Sequence, residues 1–112
     1  MPHEINGQRF VGNVPVEPEE ERQKLEEFAQ ERVNTIMDFL ISQRKEMDLT
    51  QEHLGEALGI GQRSVSSLES SDNPGLRRVI EYAQVLGFTL TPVLEDLTQD
   101  GRADEYKFGK DA

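Results

Sequence analysis

Two glycines four residues apart, Gly55 and Gly59, constrain this chain more than any other feature. They sit in "TQEHLGEALGIGQRSVSSLESS", Thr50 to Ser71. Thr50 suits the N-cap of a short helix over Gln51 to Leu58, which Gly59 ends. A second short helix is expected from Gln62 to about Ser70. Two helices joined this tightly must cross closely. The first then needs a residue without bulk where they touch, and Gly55 stands there. The turn needs a residue free to adopt positive φ, and Gly59 supplies it. Leu54, Leu58, Ile60, Val65 and Leu68 fall where such a pair faces a core. Gln62, Arg63, Ser64 and Ser67 fall on the opposite side of the second helix. Short polar side chains with one arginine suit a helix lying in a DNA major groove, where glutamine bridges an adenine edge and arginine a guanine edge.

Upstream, the spacing predicts one long amphipathic helix. Pro18 suits its first position, and Glu19, Glu20 and Glu21 suit the positive end of its dipole. Leu25, Phe28, Ala29, Val33, Ile36, Met37 and Leu40 recur at i, i+3, i+4 spacing, a stripe expected to pack in a core. Arg44 and Lys45 stand near the C-terminal end, and Asp48 suits a left-handed stop. Glu17 to Glu31 is strongly acidic; a solvated face and a docking surface for a basic partner are both open readings.

Downstream, "SDNPG" is a turn, and a fourth helix is expected over Leu76 to Leu86. Leu76, Val79, Ile80, Ala83 and Leu86 form its apolar face, and Gly87 stops it. "FTLTPVLEDL" has two readings. Phe88, Thr89, Thr91 and Val93 favour a strand, which Pro92 restricts to an edge; Thr91 and Pro92 are also a helix start. Residues 1–17 hold two glycines and two prolines and sustain no period, so they read as a mobile arm, with short extended pieces in "QRFVGNVPV". Residues 98–112 read as a polar tail in which Tyr106 and Phe108 could anchor. The central domain is therefore expected over residues 18–97, as an all-α bundle.

Composition narrows the chemistry. There is no cysteine, so disulfides, thiolate metal sites and thiol nucleophiles are excluded. His53 has only His3 as a histidine companion and reads as an exposed helix residue rather than a ligand. Ser64 lacks a sequence-evident base, so no enzyme activity, cofactor or metal is expected. No apolar run spans a membrane, and the opening residues lack the order of a signal peptide; a cytoplasmic protein is the expectation. Twelve Lys and Arg against 22 Asp and Glu give a net charge of −10. Indiscriminate phosphate binding is disfavoured, so any DNA-reading face must be a local patch.

The run "LTQEHLGEALGIGQRSVSSLESSDNPGLRRVIEYAQVLG" resembles the lambda-repressor-like, xenobiotic-response-element family of helix-turn-helix domains, over roughly residues 33–90. The ordering carries the resemblance: "LTQ" opening one helix, the "LG" turn, "VSSLE" closing the next, and Pro74-x-Leu76 leading to Leu86–Gly87. The resemblance implies base reading by Gln62, Arg63, Ser64 and Ser67. It implies phosphate contacts from Gln51, Ser70, Ser71, Arg77 and Arg78, and a structural ion pair between Arg44 and Glu69. The chain departs from the family pattern at Asp48, where Gly is usual, at His53, where Glu usually completes a capping box, and at Gly61, where Ser or Thr usually caps the recognition helix.

The run "RRVIEYAQVLGFTLTPVLED" is similar to the DNA-binding antitoxins of the Hip and Hig toxin–antitoxin systems. That likeness implies a short strand pairing two subunits, with Phe88, Leu90, Val93 and Leu94 as dimerisation candidates. The expected function is a homodimeric repressor on a palindromic double-stranded operator, as the antitoxin of a module whose toxin binds elsewhere. A stand-alone or phage-like regulator is the alternative, as is an interaction scaffold that binds no DNA.

Overall fold

The computed structural model describes residues 2–16 and 19–97. Pro18 and Glu17 lie outside the described residues, as does the tail with Tyr106 and Phe108. Seven elements follow in order: β1 (Pro2–Ile5), β2 (Gln8–Val11), β3 (Val14–Pro15), α1 (Glu19–Glu46), α2 (Gln51–Leu58), α3 (Gln62–Ser70) and α4 (Leu76–Val85). The helical class holds, with a small sheet added to it. The described residues fall into two compact units, one of residues 30–92 and one that takes in residues 2–16, 19–29 and 93–97. The sequence-based limits of 18 and 97 for the central domain lie outside the first of these.

The 30–92 unit is built on one apolar cluster: Met37 and Leu40 of α1, Leu54 of α2, Val65 and Leu68 of α3, and Val79, Tyr82, Ala83 and Leu86 from α4 and its end. Leu58 and Ile60 pack against it partly buried, as the spacing required. The α1 stripe is narrower than expected. Val33, Met37, Leu40, Ile41 and Arg44 share the inward face; Ile36, about 100° round the helix from Met37, is exposed. Leu25 and Ala29 belong to the other unit and are also exposed. In α4 the expected inward Leu76 is 70% exposed, while Tyr82, which the apolar count passed over, is fully buried.

The joint between α2 and α3 is close. Gly59 adopts φ 73°, and its successor Ile60 donates its N–H to Gly55 O at 2.8 Å. A Cβ on Gly55 would lie 2.7 Å from the Ile60 carbonyl oxygen, a backbone atom that cannot turn aside. α2 begins with a complete capping box: His53 N–H donates to Thr50 Oγ1 at 3.1 Å, and Thr50 N–H donates to His53 Nδ1 at 3.0 Å. An imidazole thus fills the place of the usual carboxylate. Gly61 caps α3 with its carbonyl only, accepting from Ser64 and Val65. Asp48 takes the left-handed conformation, φ 56°, and ends α1 as expected.

Residues 2–15 belong to the segment expected to be a mobile arm with short extended pieces in "QRFVGNVPV"; those pieces are β2 and β3, and with β1 they pair into an antiparallel sheet of order β1-β2-β3. Asn6 and Gly7, both at positive φ, make the first two-residue turn. His3 stacks on Phe10 directly across the ladder, ring centroids 5.5 Å apart, and its Nε2 lies 2.9 Å from Gly12 O. Phe88 to Asp96 carries neither the strand nor the helix weighed for it. An edge strand needs a partner, and none among the described residues pairs with this segment. Phe88 instead sets its ring edge-on to Phe39, centroids 5.3 Å apart.

Gly55→Ala should destabilise the protein by about 1–3 kcal/mol, because the backbone of the turn must move. Gly59→Ala should cost about 1–2 kcal/mol from left-handed strain alone. Denaturant unfolding of both variants checks the order and size of these losses.

Candidate nucleic-acid interface

The interface is organised from beneath by one carboxylate. Glu69, on the last turn of α3, accepts Arg44 Nε at 2.7 Å and Arg44 Nη2 at 3.1 Å. It also accepts Gln51 Nε2 at 3.0 Å and the Tyr82 hydroxyl at 2.6 Å. Arg44 spends its remaining arm on Leu49 O, 2.8 Å away. The group therefore ties α1, α2, α3 and α4 together, and the ion pair implied by the family resemblance is present. The side chains of Arg44 and Glu69 are only 9% and 8% exposed.

The electrostatics follow from that enclosure. Burial opposes the Glu69 charge, but the hydrogen bonds from Arg44, Tyr82 and Gln51 outweigh it and hold the carboxyl below the usual glutamate range. Burial likewise opposes the Arg44 charge, and Glu69 more than offsets it, so the guanidinium pKa is raised. The Tyr82 hydroxyl is pushed well up, by burial and then by the carboxylate it donates to.

The network reaches the surface through two amides. An ionised Glu69 only accepts, so Gln51 must turn its Nε2 inward and its Oε1 outward. That oxygen accepts Gln62 Nε2 at 3.1 Å. Gln62 is left with its own Oε1 and one N–H for a ligand, the acceptor–donor pair that an adenine edge matches in the major groove. Arg63, Ser64 and Ser67 are exposed beside it on α3, while Val65 and Leu68 hold the helix to the core. Arg63 has no ion-pair partner among the described residues, so its guanidinium is available to a guanine edge.

The expected phosphate contacts differ in readiness. The Ser71 hydroxyl accepts from Asn73 N–H at 3.0 Å and keeps its hydrogen to donate. Ser70 donates to the Ser66 carbonyl at 3.0 Å and must rotate to meet a phosphate. Arg78 pairs with Glu81 at 2.8 Å, and the far more exposed Arg77 approaches the same carboxylate at 3.8 Å. Of the dimerisation candidates, Leu90 packs on the core and Phe88 on Phe39, whereas Val93 and Leu94 are 75% and 98% exposed. Tyr82 is the site residue that sequence reasoning missed; its place three residues after Val79, on the inward face, was the available signal.

Comparison with known families matches residues 40–93 to the helix-turn-helix family. The segment is a helix-turn-helix domain of the lambda-repressor-like, xenobiotic-response-element type, and the protein carrying it is a DNA-binding transcription regulator. Neither the curated proteins nor the solved structures gives a match. Among the described residues no helix is long and apolar enough to cross a membrane.

Glu69→Gln leaves the Arg44 charge buried without its counter-charge and should cost about 3–5 kcal/mol. The depressed Glu69 pKa also sets a pH window. Its contribution is complete above the unfolded-state value of about 4.3 and is lost as pH falls through the lower folded value. Unfolding of the wild type and Glu69→Gln between pH 7 and pH 2 should therefore show the difference between them shrinking below about pH 4.3.

Proposed function

We propose that the protein is a homodimeric repressor that reads a palindromic operator with α3 of each subunit, acting by binding rather than catalysis. The observation that carries this is the oriented chain Glu69–Gln51–Gln62, which presents one base-reading amide in a defined sense beside Arg63, a guanidinium with no ion-pair partner among the described residues. Gln62, Arg63, Ser64 and Ser67 read bases; Gln51, Ser71, Arg77 and Arg78 meet phosphate, with Ser70 joining after rotation. A dimer would contact half-sites roughly 34 Å apart. Exposed Val93 and Leu94, with the half-exposed Phe88, support a subunit contact that turns this segment into a paired strand.

A more specific reading is that the protein is the antitoxin of a toxin–antitoxin module, working in the cytoplasm and repressing its own operon. The acidic start of α1 favours it: Glu19, Glu20, Glu21, Glu26, Glu27 and Glu31 fall in its first 13 residues, with only Arg22 and Lys24 as basic residues there. A basic toxin is the matching partner. Copurification of the protein with the product of an adjacent gene supports this reading; a protein purifying alone as a dimer from its native source favours a stand-alone regulator.

Selection from random-sequence duplexes should enrich one palindrome. Arg63→Ala should then relax preference at a single base pair in each half-site and weaken binding by about 1–3 kcal/mol per subunit. Failure of the wild type to enrich any sequence at low salt would contradict the DNA-reading function. A uniform loss across all sequences would make Arg63 a phosphate contact.

A further inference from the structure

We propose that His53 is an additional DNA-backbone contact, donating from Nε2 to a phosphate oxygen beside Gln51; this rests on the DNA-reading function above. Thr50 N–H donates to His53 Nδ1 at 3.0 Å, so Nδ1 must offer a lone pair, and the proton of the neutral ring is on Nε2. The cap thereby sets the tautomer and holds the ring by its inner nitrogen. The outer nitrogen is a donor on an exposed residue.

That donor shares a shallow concave surface with the two glutamines of the reading chain. Lys45, Thr50, Gln51, His53 and Gln62 line it together with Asp48 and Glu52. The two acids make this a poor place for a further carboxylate facing DNA. Glutamate, the frequent partner in a capping box, would complete the cap equally well but would add a third negative charge. Histidine supplies the same acceptor to the helix and a neutral donor to the outside. In a chain with net charge −10, a neutral donor adds a phosphate contact where the surrounding surface is not cationic.

Three replacements separate contact from capping, because each keeps an acceptor for Thr50 N–H. His53→Gln retains an outward N–H; an imidazole methylated at Nε2 removes it; His53→Glu removes it and adds charge. Binding is measured by full-length protein on the duplex that the wild type enriches from a random pool, alongside the melting temperature. At equal melting temperature, His53→Gln should bind within about twofold of wild type. The methylated ring should lose about tenfold, the scale of one hydrogen bond to a charged group, and His53→Glu should lose more. Wild-type affinity in the methylated ring protein overturns the contact while leaving the DNA-reading function intact. A wild type that enriches no duplex overturns both.

Discussion

A single buried carboxylate holds this helix-turn-helix in the geometry that its surface requires. Glu69 accepts from three side chains on three other helices, and none of these bonds is local in sequence. Enclosing an ion pair costs solvation, and the cost is met only when the remaining lone pairs are filled. Here Tyr82 and Gln51 fill them. No buried side-chain nitrogen or oxygen lacks a hydrogen-bond partner among the described residues. An apolar cluster would pack the same helices without deciding which way Gln51 points; the carboxylate decides it, because it can only accept. The orientation then passes to Gln62. The buried carboxylate and the proposed base-reading amide are joined in this way by one chain of hydrogen bonds.

The negative charge of the molecule bears on the same surface. DNA affinity that rested on cations would need more of them than α3 and α4 provide, and both α4 arginines already lean on Glu81. What the interface offers instead is a set of placed neutral donors and acceptors from Gln51, Gln62, Ser64, Ser67 and Ser71. Such groups contribute little at long range and much at a matching site. For the repressor proposed above, weak attraction to arbitrary DNA with a marked preference for one sequence is the expected behaviour.

Much of this was legible in the residues. Gly55 and Gly59 gave away the crossing and the turn because each answers a demand that few other residues meet. Val65 and Leu68 placed α3, and the outward residues followed by helical geometry. The Arg44–Glu69 pair came only with the family resemblance, since 25 residues separate its members and no local spacing points to it. Tyr82 escaped because its phenol was not counted among the apolar positions, although its body belongs to the core and its hydroxyl to Glu69. The N-terminal sheet escaped for a different reason. Its strands are too short to show alternation, yet Asn6–Gly7 is a strong two-residue hairpin turn and was the readable sign. Phe88 to Leu94 has the propensity of a strand, but no described residue pairs with it, and propensity without pairing makes no strand.

On the proposed function, α3, oriented through Gln51 by Glu69, is the surface that meets DNA. Amide shift mapping in solution can locate that surface: isotope-labelled protein is titrated with the duplex it selects. The largest changes should fall on Gln51 and on Gln62 to Ser67, with core amides of α4 and those of residues 2–15 little affected. Changes confined to the first half of α1 or to the N-terminal sheet, with α3 unmoved, would contradict it.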